Sequence, residues 1–219
     1  SKDTKYSLGS VLNHVILHQT VIGQEVRAQL KAYQEKPDVM IGCCGGGSNF
    51  AGFAYPMLAE KLKGKLSDCR FVGVEPKSCA SMGKGKYFYD YGDTGKQTPM
   101  LKMKSLGCEF VAPPLHAGGL RYHGIAPSLA FLHQKGLIES KSFDQVTIFK
   151  AAQVFAESEG VVVAPESAHA VASAIAEAKR CKKERKEETI VFNLSGQGLL
   201  DLKGYEDFLD GRLKEKVTN

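Results

Sequence analysis

Two observations predict an α/β chain built on a parallel sheet with helices on both faces. Short, nearly continuous apolar runs rich in Val, Ile and Phe alternate with segments of helical period, the pattern of buried parallel strands separated by helices. Glycine is also in excess, 23 of 219 residues against about 7% on average, and its main clusters fall where those runs end.

In chain order, apolar residues at helical spacing predict a first helix over Val21–Tyr33. The run Asp38–Cys43 predicts the first strand, and the amphipathic segment Asn49–Lys63 the next helix. Arg70–Val74 predicts a second strand, and Pro127–Lys135, opening on proline, a third helix. Gln145–Phe149 is expected as a strand, followed by helices over Ala151–Glu159 and Glu166–Lys183. Thr189–Asn193 closes the sheet and Tyr205–Lys214 predicts a C-terminal helix. The stretch Lys77–Pro114 interrupts this rhythm with Gly83, Gly85, Gly92, Gly95, Gly107, Pro99, Pro113 and Pro114. So long an irregular excursion is expected to pack over a site rather than into a core. Lys179–Glu188 holds six basic and three acidic residues and reads as a solvated helix face with i,i+4 pairing. There is no internal repeat and no low-complexity segment.

The composition, 43% hydrophobic and 24% charged, is that of an ordinary globular chain long enough for one large domain or two small ones. Lys and Arg exceed Asp and Glu by 29 − 24 = +5, too mild a balance to call for a nucleic-acid partner. No apolar run has the length of a membrane span, and no signal-peptide pattern opens the chain, so a cytoplasmic protein is expected. The start Ser1-Lys2-Asp3 carries no methionine, which is read as part of a longer protein. Cys43, Cys44, Cys69, Cys79, Cys108 and Cys181 form no C-x-x-C pair and are expected as reduced, mostly buried thiols. His14 and His18 share a helix face but have no third ligand at a recognisable spacing, so packing is the expectation there.

Four segments carry chemistry. Gly45-Gly46-Gly47-Ser48-Asn49 follows a buried strand and opens a helix, where free N–H groups and the macrodipole favour an anion. Glycines admit close approach there, while Ser48 and Asn49 add capping or phosphate-binding groups. G-x-G-x-x-G is not matched, and Gly92-Asp93-Thr94-Gly95-Lys96-Gln97-Thr98 fails the nucleotide-loop spacing, so one small phosphate is the expected ligand. Asn193-Leu194-Ser195-Gly196-Gln197-Gly198 ends another strand, where open parallel sheets bind ligands. Ser195 is suited to offer its hydroxyl to a heterocycle, and the absence of G-x-S-x-G argues against a nucleophile. Pro165-Glu166-Ser167-Ala168-His169 opens a helix, where Glu166 serves either as a capping charge or as a functional carboxylate. His116-Ala117-Gly118-Gly119-Leu120-Arg121-Tyr122-His123-Gly124 is a glycine-flexed turn able to bind a cation through carbonyls or simply to redirect the chain.

Together these segments resemble fold-type II pyridoxal-phosphate enzymes, through Gly45-Gly46-Gly47-Ser48-Asn49. Ser158-Glu159-Gly160, Glu166-Ser167-Ala168-His169-Ala170 and Asn193-Leu194-Ser195-Gly196 narrow the resemblance to tryptophan synthase β chains. Leu12-Asn13-His14, His18-Gln19-Thr20-Val21-Ile22-Gly23 and Ala117–Gly124 look like the type-2 branch. The resemblance implies that Gly45, Gly46, Gly47, Ser48 and Asn49 hold the phosphate of pyridoxal 5'-phosphate. It implies Ser195, with Gly196 beside it, at the pyridine nitrogen, and Glu166 as the acid–base group serving indole and the serine hydroxyl. Carbonyls of Leu120, Tyr122 and Gly124 would bind a monovalent cation, sodium or potassium. Arg121 replaces an aspartate of the type-1 chains, and the resemblance assigns it to the substrate.

The implied reaction condenses L-serine with indole to L-tryptophan and water. Its cofactor-bearing lysine, substrate-carboxylate loop and mobile domain belong to an N-terminal half that this sequence does not contain. Lys84 and Lys86 stand in no matching context and are expected at the surface, and the chain alone is expected to be inactive. Residues 1–36 are read as a segment linking to that half, 37–203 as the phosphate-binding α/β domain and 204–219 as a C-terminal helix. A homodimer of the complete enzyme and a tryptophan synthase α-chain partner are implied as well, with no nucleic acid and no membrane. The alternatives are another fold-type II lyase, such as a threonine synthase or serine dehydratase relative, and a non-catalytic phosphate-binding module.

Overall fold

The computed structural model describes residues 2–5 and 8–213. Its elements are α1 (Asn13–Ala32), β1 (Val39–Cys43), α2 (Ser48–Leu62), β2 (Arg70–Pro76), α3 (Ser81–Lys84), β3 (Lys86–Tyr91) and β4 (Met100–Ser105). They continue with α4 (Pro127–Gln134), β5 (Glu139–Phe143), α5 (Gln145–Glu159), α6 (Pro165–Glu184), β6 (Ile190–Phe192) and α7 (Leu202–Leu209). Lys77–Cys79 and Gly118–Leu120 form single 3₁₀ turns.

The main sheet has the order β5-β2-β1-β6, and each pair in it is parallel. Every residue of β1 is buried, as expected for a central strand covered on both faces. Alternate side chains of β1 and β2 go to opposite layers. Met40 and Phe71 join Phe50, Phe53 and Leu129, the core beneath α2 and α4. Val39, Ile41, Val72 and Val74 pack with Ala170 of α6. A further core joins Ile148 and Phe149 of α5 to Val171 of α6. The expected architecture of a parallel sheet with helices on both faces is therefore present.

Helices α1 and α2 cross backbone to backbone. A Cβ on Gly23 would lie 2.4 Å from the Phe53 carbonyl, and one on Gly52 would lie 2.5 Å from Gln19. Glycine at the crossing therefore sets how closely α1 lies on the domain.

Several expectations need correction. Gln145–Phe149 opens α5 and is not a strand. Asp144 caps it, its carboxylate accepting from the Thr147 N–H at 2.8 Å, and Ile148, Phe149, Ala151 and Ala152 bury at helical spacing. The strand lies just upstream, in the polar run Glu139–Phe143; β5 is a sheet edge and needs no apolar character on both faces. Helix α1 begins at Asn13 rather than Val21; only Ile16 and Gly23 of it are buried, and Leu17 and Val21 are exposed, so its apolar residues do not mark one buried face. The excursion Lys77–Pro114 is not structureless: β3 and β4 pair antiparallel from Lys86↔Ser105 to Tyr91↔Met100. Its Met82 and Met103 are fully buried, so it packs into the domain as well as over it. The turn whose composition suggests a nucleotide loop is closed by Asp93, whose carboxylate accepts from the N–H groups of Gln97 and Thr98 at 3.0 and 3.1 Å. The last helix ends at Leu209 instead of Lys214; residues 214–219 lie outside the described residues. The six cysteines are free and buried. His18 donates to the His14 carbonyl at 2.6 Å, and no metal-holding group exists among the described residues.

The basic run of α6 is more than a solvated face. Arg180 pairs with Glu184 as i,i+4 spacing predicts, but it also reaches the buried Glu177 at 2.9 Å. Arg70 at the start of β2 meets Glu177 at 2.9 Å and Glu139 of β5 at 2.8 Å, and Lys141 completes the cluster. Although burial raises it, bonds from Arg70, Lys141 and Arg180 hold the Glu177 carboxyl down at about 2. A carboxyl that titrates lower in the folded than in the unfolded chain stabilises fully above its unfolded value, and that contribution disappears as pH falls through the folded one. Glu177→Gln is therefore expected to lower stability at neutral pH and to flatten its loss between about pH 4.5 and 2. Urea midpoints across that range check this.

Candidate functional site

β1 and β6 are neighbours in a parallel sheet, so their C-terminal ends open on the same edge. Leaving β1, the chain turns through Gly45, Gly46 and Gly47 into α2. Gly47 takes φ +104°, a conformation that suits glycine, and a Cβ there would lie 2.2 Å from Leu129 Cδ1. No side chain caps α2, so its first-turn N–H groups are directed into the opening without a partner from the described side chains. Leaving β6, Asn193 donates through Nδ2 to Asn49 Oδ1 at 2.9 Å, joining the two strand ends.

These turns enclose a cavity of about 360 Å³. It is lined by the Gly45–Asn49 turn, Ser195, Gly196 and Glu166, together with Ser10, Cys43, Gly119, Leu120 and Ala164. Gly45, Gly46, Gly47, Ser48, Asn49, Ser195, Gly196 and Glu166 are thus brought to one opening. Ser48 is held by Gln19, whose Nε2 donates to its hydroxyl at 3.1 Å. Glu166 does not cap α6; its Oε1 accepts from the Gly119 N–H at 2.8 Å. His169 one turn later is buried, and its Nδ1 donates to the Pro165 carbonyl at 2.8 Å. Burial lowers its pKa to about 4, so the imidazole is neutral. Cys43 lies 3.5 Å from the Ser195 hydroxyl, and burial pushes its thiol up to about 11.

Of the residues assigned to a cation or substrate, only Leu120 lines the cavity. Its carbonyl already accepts from Tyr122 N at 3.0 Å and from Cys79 Sγ at 3.4 Å. Gly124 bridges to Ser105, and Tyr122 donates its hydroxyl to the Gly92 carbonyl. Arg121 turns away and donates to the Ala112 carbonyl at 2.7 Å. The excursion Lys77–Pro114 supplies no lining residue, and Lys84 and Lys86 are exposed. Ser10, Cys43 and Ala164 carry no sequence signal that marks them as site residues. Ser10 belongs to no periodic segment, and Cys43 reads as one more buried strand residue.

A larger open cleft of about 700 Å³ lies between the C-terminal ends of α1 and α2. Its Glu60 is paired with Arg27 and Lys65, and its lysines complement two helix C-termini, which accounts for the charge without a ligand.

The residues fit a phosphorylated planar cofactor. A Cβ on Gly45 would lie 2.7 Å from the Gly119 carbonyl, and one on Gly46 2.3 Å from Ser10 Oγ, so the turn presents bare backbone where an anion needs N–H groups. Residues 5–196 match the family model described as pyridoxal-phosphate dependent enzyme. The chain belongs to this family. It is 57% identical over 211 residues to the tryptophan synthase beta chain of Thermococcus onnurineus, which takes in 96% of this chain and 47% of the relative. It is 59% identical over 203 residues to tryptophan synthase beta chain 2 of Thermotoga maritima, covering 93% of this chain and 48% of that one. The chain thus spans about half the length of the curated relatives it matches. Its fold is that of pyridoxal-phosphate enzymes of fold type II. The processed form of threonine deaminase isoform 2 from Solanum lycopersicum superposes with a TM-score of 0.60 at 22% identity, over 89% of this chain and 49% of that one. A fungal L-serine ammonia-lyase from Rhizomucor miehei gives 0.65 at 15% identity, over 97% and 61%.

Gly45→Ala is expected to push the Gly119–Leu120 turn off the phosphate loop and to destabilise by about 1–3 kcal/mol. Gly118→Ala, which meets nothing within 4 Å, should stay within about 0.5 kcal/mol of the parent. Denaturant unfolding of the two variants distinguishes close backbone approach from a general intolerance of the segment.

Proposed function

We propose that this chain is the cofactor-binding part of a type-2 tryptophan synthase β chain, the complete protein condensing L-serine with indole to give L-tryptophan and water. The convergence of the glycine turn, Ser195 and Glu166 on one cavity carries this reading, supported by relatives at 55–59% identity that are named tryptophan synthase beta chain.

Pyridoxal 5'-phosphate, when bound, supplies the sink for negative charge on the amino-acid carbon. The chain's residues bind and orient it. The N–H groups of the Gly45–Asn49 turn and the Ser48 hydroxyl take the phosphate, aided by the dipole of α2. Ser195 presents its hydroxyl to the ring nitrogen, with Gly196 packed against Ala164 behind it. A neutral serine leaves that nitrogen without a proton, which suits elimination and replacement more than transamination. Glu166, fixed by Gly119, holds or delivers a proton for indole and the leaving serine hydroxyl. The Leu120, Tyr122 and Gly124 carbonyls are proposed to bind sodium or potassium.

In the same reading residues 1–36 link to the N-terminal half, 37–203 form the cofactor domain, and α7 (Leu202–Leu209) is the C-terminal helix. The complete enzyme works as a cytoplasmic homodimer with an α-chain partner. Leu199 and Leu200, exposed by 65% and 89% just beyond Ser195, present apolar surface where the other half would cover the cavity.

Titrating the purified chain with pyridoxal phosphate, followed by absorbance, tests the assignment. Ser48→Ala and Ser195→Ala should each weaken binding by about 10- to 100-fold, the loss of one bond to a charged or buried acceptor. Indifference to both changes would leave a phosphate-binding module. Tryptophan formation from serine and indole should require a separately supplied N-terminal half.

A further inference from the structure

Ser195 Oγ has a hydrogen-bonding neighbour on each of two sides, Ser167 and Cys43. Ser167, on the first turn of α6, is fully buried, and its Oγ accepts from the Gly196 N–H at 2.9 Å. A helical serine commonly donates to the carbonyl four residues back. Here that carbonyl, Val163, already accepts from the Tyr205 hydroxyl and is not bonded to Ser167. The acceptor left for the Ser167 proton is Ser195 Oγ, 3.2 Å away.

On its other side Ser195 Oγ meets Cys43 Sγ at 3.5 Å. A cysteine thiol has a proton to donate, and the Ser195 oxygen is the partner within its reach. A serine oxygen accepts two hydrogen bonds and donates one. With both acceptor positions taken by Ser167 and Cys43, the Ser195 proton has the cavity as its remaining direction. Among the described residues no other group bonds Ser195.

We propose that Ser167 and Cys43 are positioning residues that make Ser195 an obligate donor into the cavity, so that the site selects a ligand whose facing ring atom is an acceptor. This rests on the reading that the cavity takes pyridoxal phosphate with its ring nitrogen at Ser195. A ring nitrogen carrying a proton or an alkyl group would set a donor or a methyl against the Ser195 proton. The selectivity is thus built one residue behind the contact, by a pair of neutral groups on β1 and α6.

The test compares the affinity of the chain for pyridoxal 5'-phosphate and for its N-methylpyridinium analogue by fluorescence titration. The wild-type chain should prefer pyridoxal phosphate by about tenfold or more. Ser167→Ala should still bind pyridoxal phosphate but shrink that preference to within about threefold, with Ser167→Cys, which keeps a donor, in between. With ring-labelled cofactor, the nitrogen-15 shift should report an unprotonated nitrogen in the wild type and move towards the protonated form in Ser167→Ala. A wild-type chain that binds both ligands equally overturns the proposal and leaves the cofactor reading intact. A preference unchanged in Ser167→Ala would mark exclusion by size, and overturns it also. A wild-type chain that binds neither ligand overturns the cofactor reading, and this proposal with it.

Discussion

The bond from the Gly119 N–H to Glu166 Oε1, at 2.8 Å, joins the turn before α4 to the first turn of α6. Gly119 stands against Gly45 at the exit of β1, and Glu166 stands on α6, which packs on the opposite face. Through this contact the phosphate turn, the Gly118–Leu120 turn and the first turn of α6 share one frame. The cavity is the space between them. Its geometry depends on a backbone approach that a side chain would block, Gly45 on Gly119, where a Cβ would lie 2.7 Å from the carbonyl. Glycine is required there by distance, not by a tendency of loops to contain it.

The charge distribution follows from the same frame. The N-terminus of α2, without a side-chain cap, brings the positive end of a helix dipole to the cavity. Around Ser195 the groups are neutral: two hydroxyls and a protonated thiol, with an uncharged imidazole buried one turn further along α6. Glu166 is the ionisable carboxylate among the lining residues, and it sits between these two regions. A phosphate at one end and a ring atom without charge at the other match such a site. The buried ion cluster of the fold, Arg70–Glu177–Lys141 at the start of β2 and β5, lies away from the cavity lining.

How much of this is legible in the sequence depends on whether a signal is local. The Gly45–Asn49 turn, Ser195 and Glu166 are each read from a strand end or a helix start, and the structure gathers all of them. β5 escapes a local reading because Glu139–Phe143 has the polarity of a loop; an edge strand takes its identity from β2, which no local pattern announces. Gln145–Phe149 reads as a strand because a five-residue apolar run does not distinguish strand from buried helix, and the deciding signal is the Asp144 cap. Ser10 reaches the phosphate turn only through the packing of α1 on α2, a contact between residues far apart in the chain. Ser167 could be suspected from its place beside Glu166, but its role depends on a tertiary distance to Ser195.

The separation of tasks among the three serines explains why the motif around each looks different. Ser48 lies at a helix start, where backbone N–H groups outnumber acceptors, and its hydroxyl is steadied by Gln19 from α1. Ser195 lies on a strand exit with glycine after it, so that its oxygen can be reached from two sides at once. Ser167 lies inside a helix, yet its hydroxyl bonds across the domain, accepting from the Gly196 N–H and meeting Ser195 Oγ at 3.2 Å. Ser195 in turn lines the cavity. The direction of its proton is then set by the satisfaction of the groups behind it.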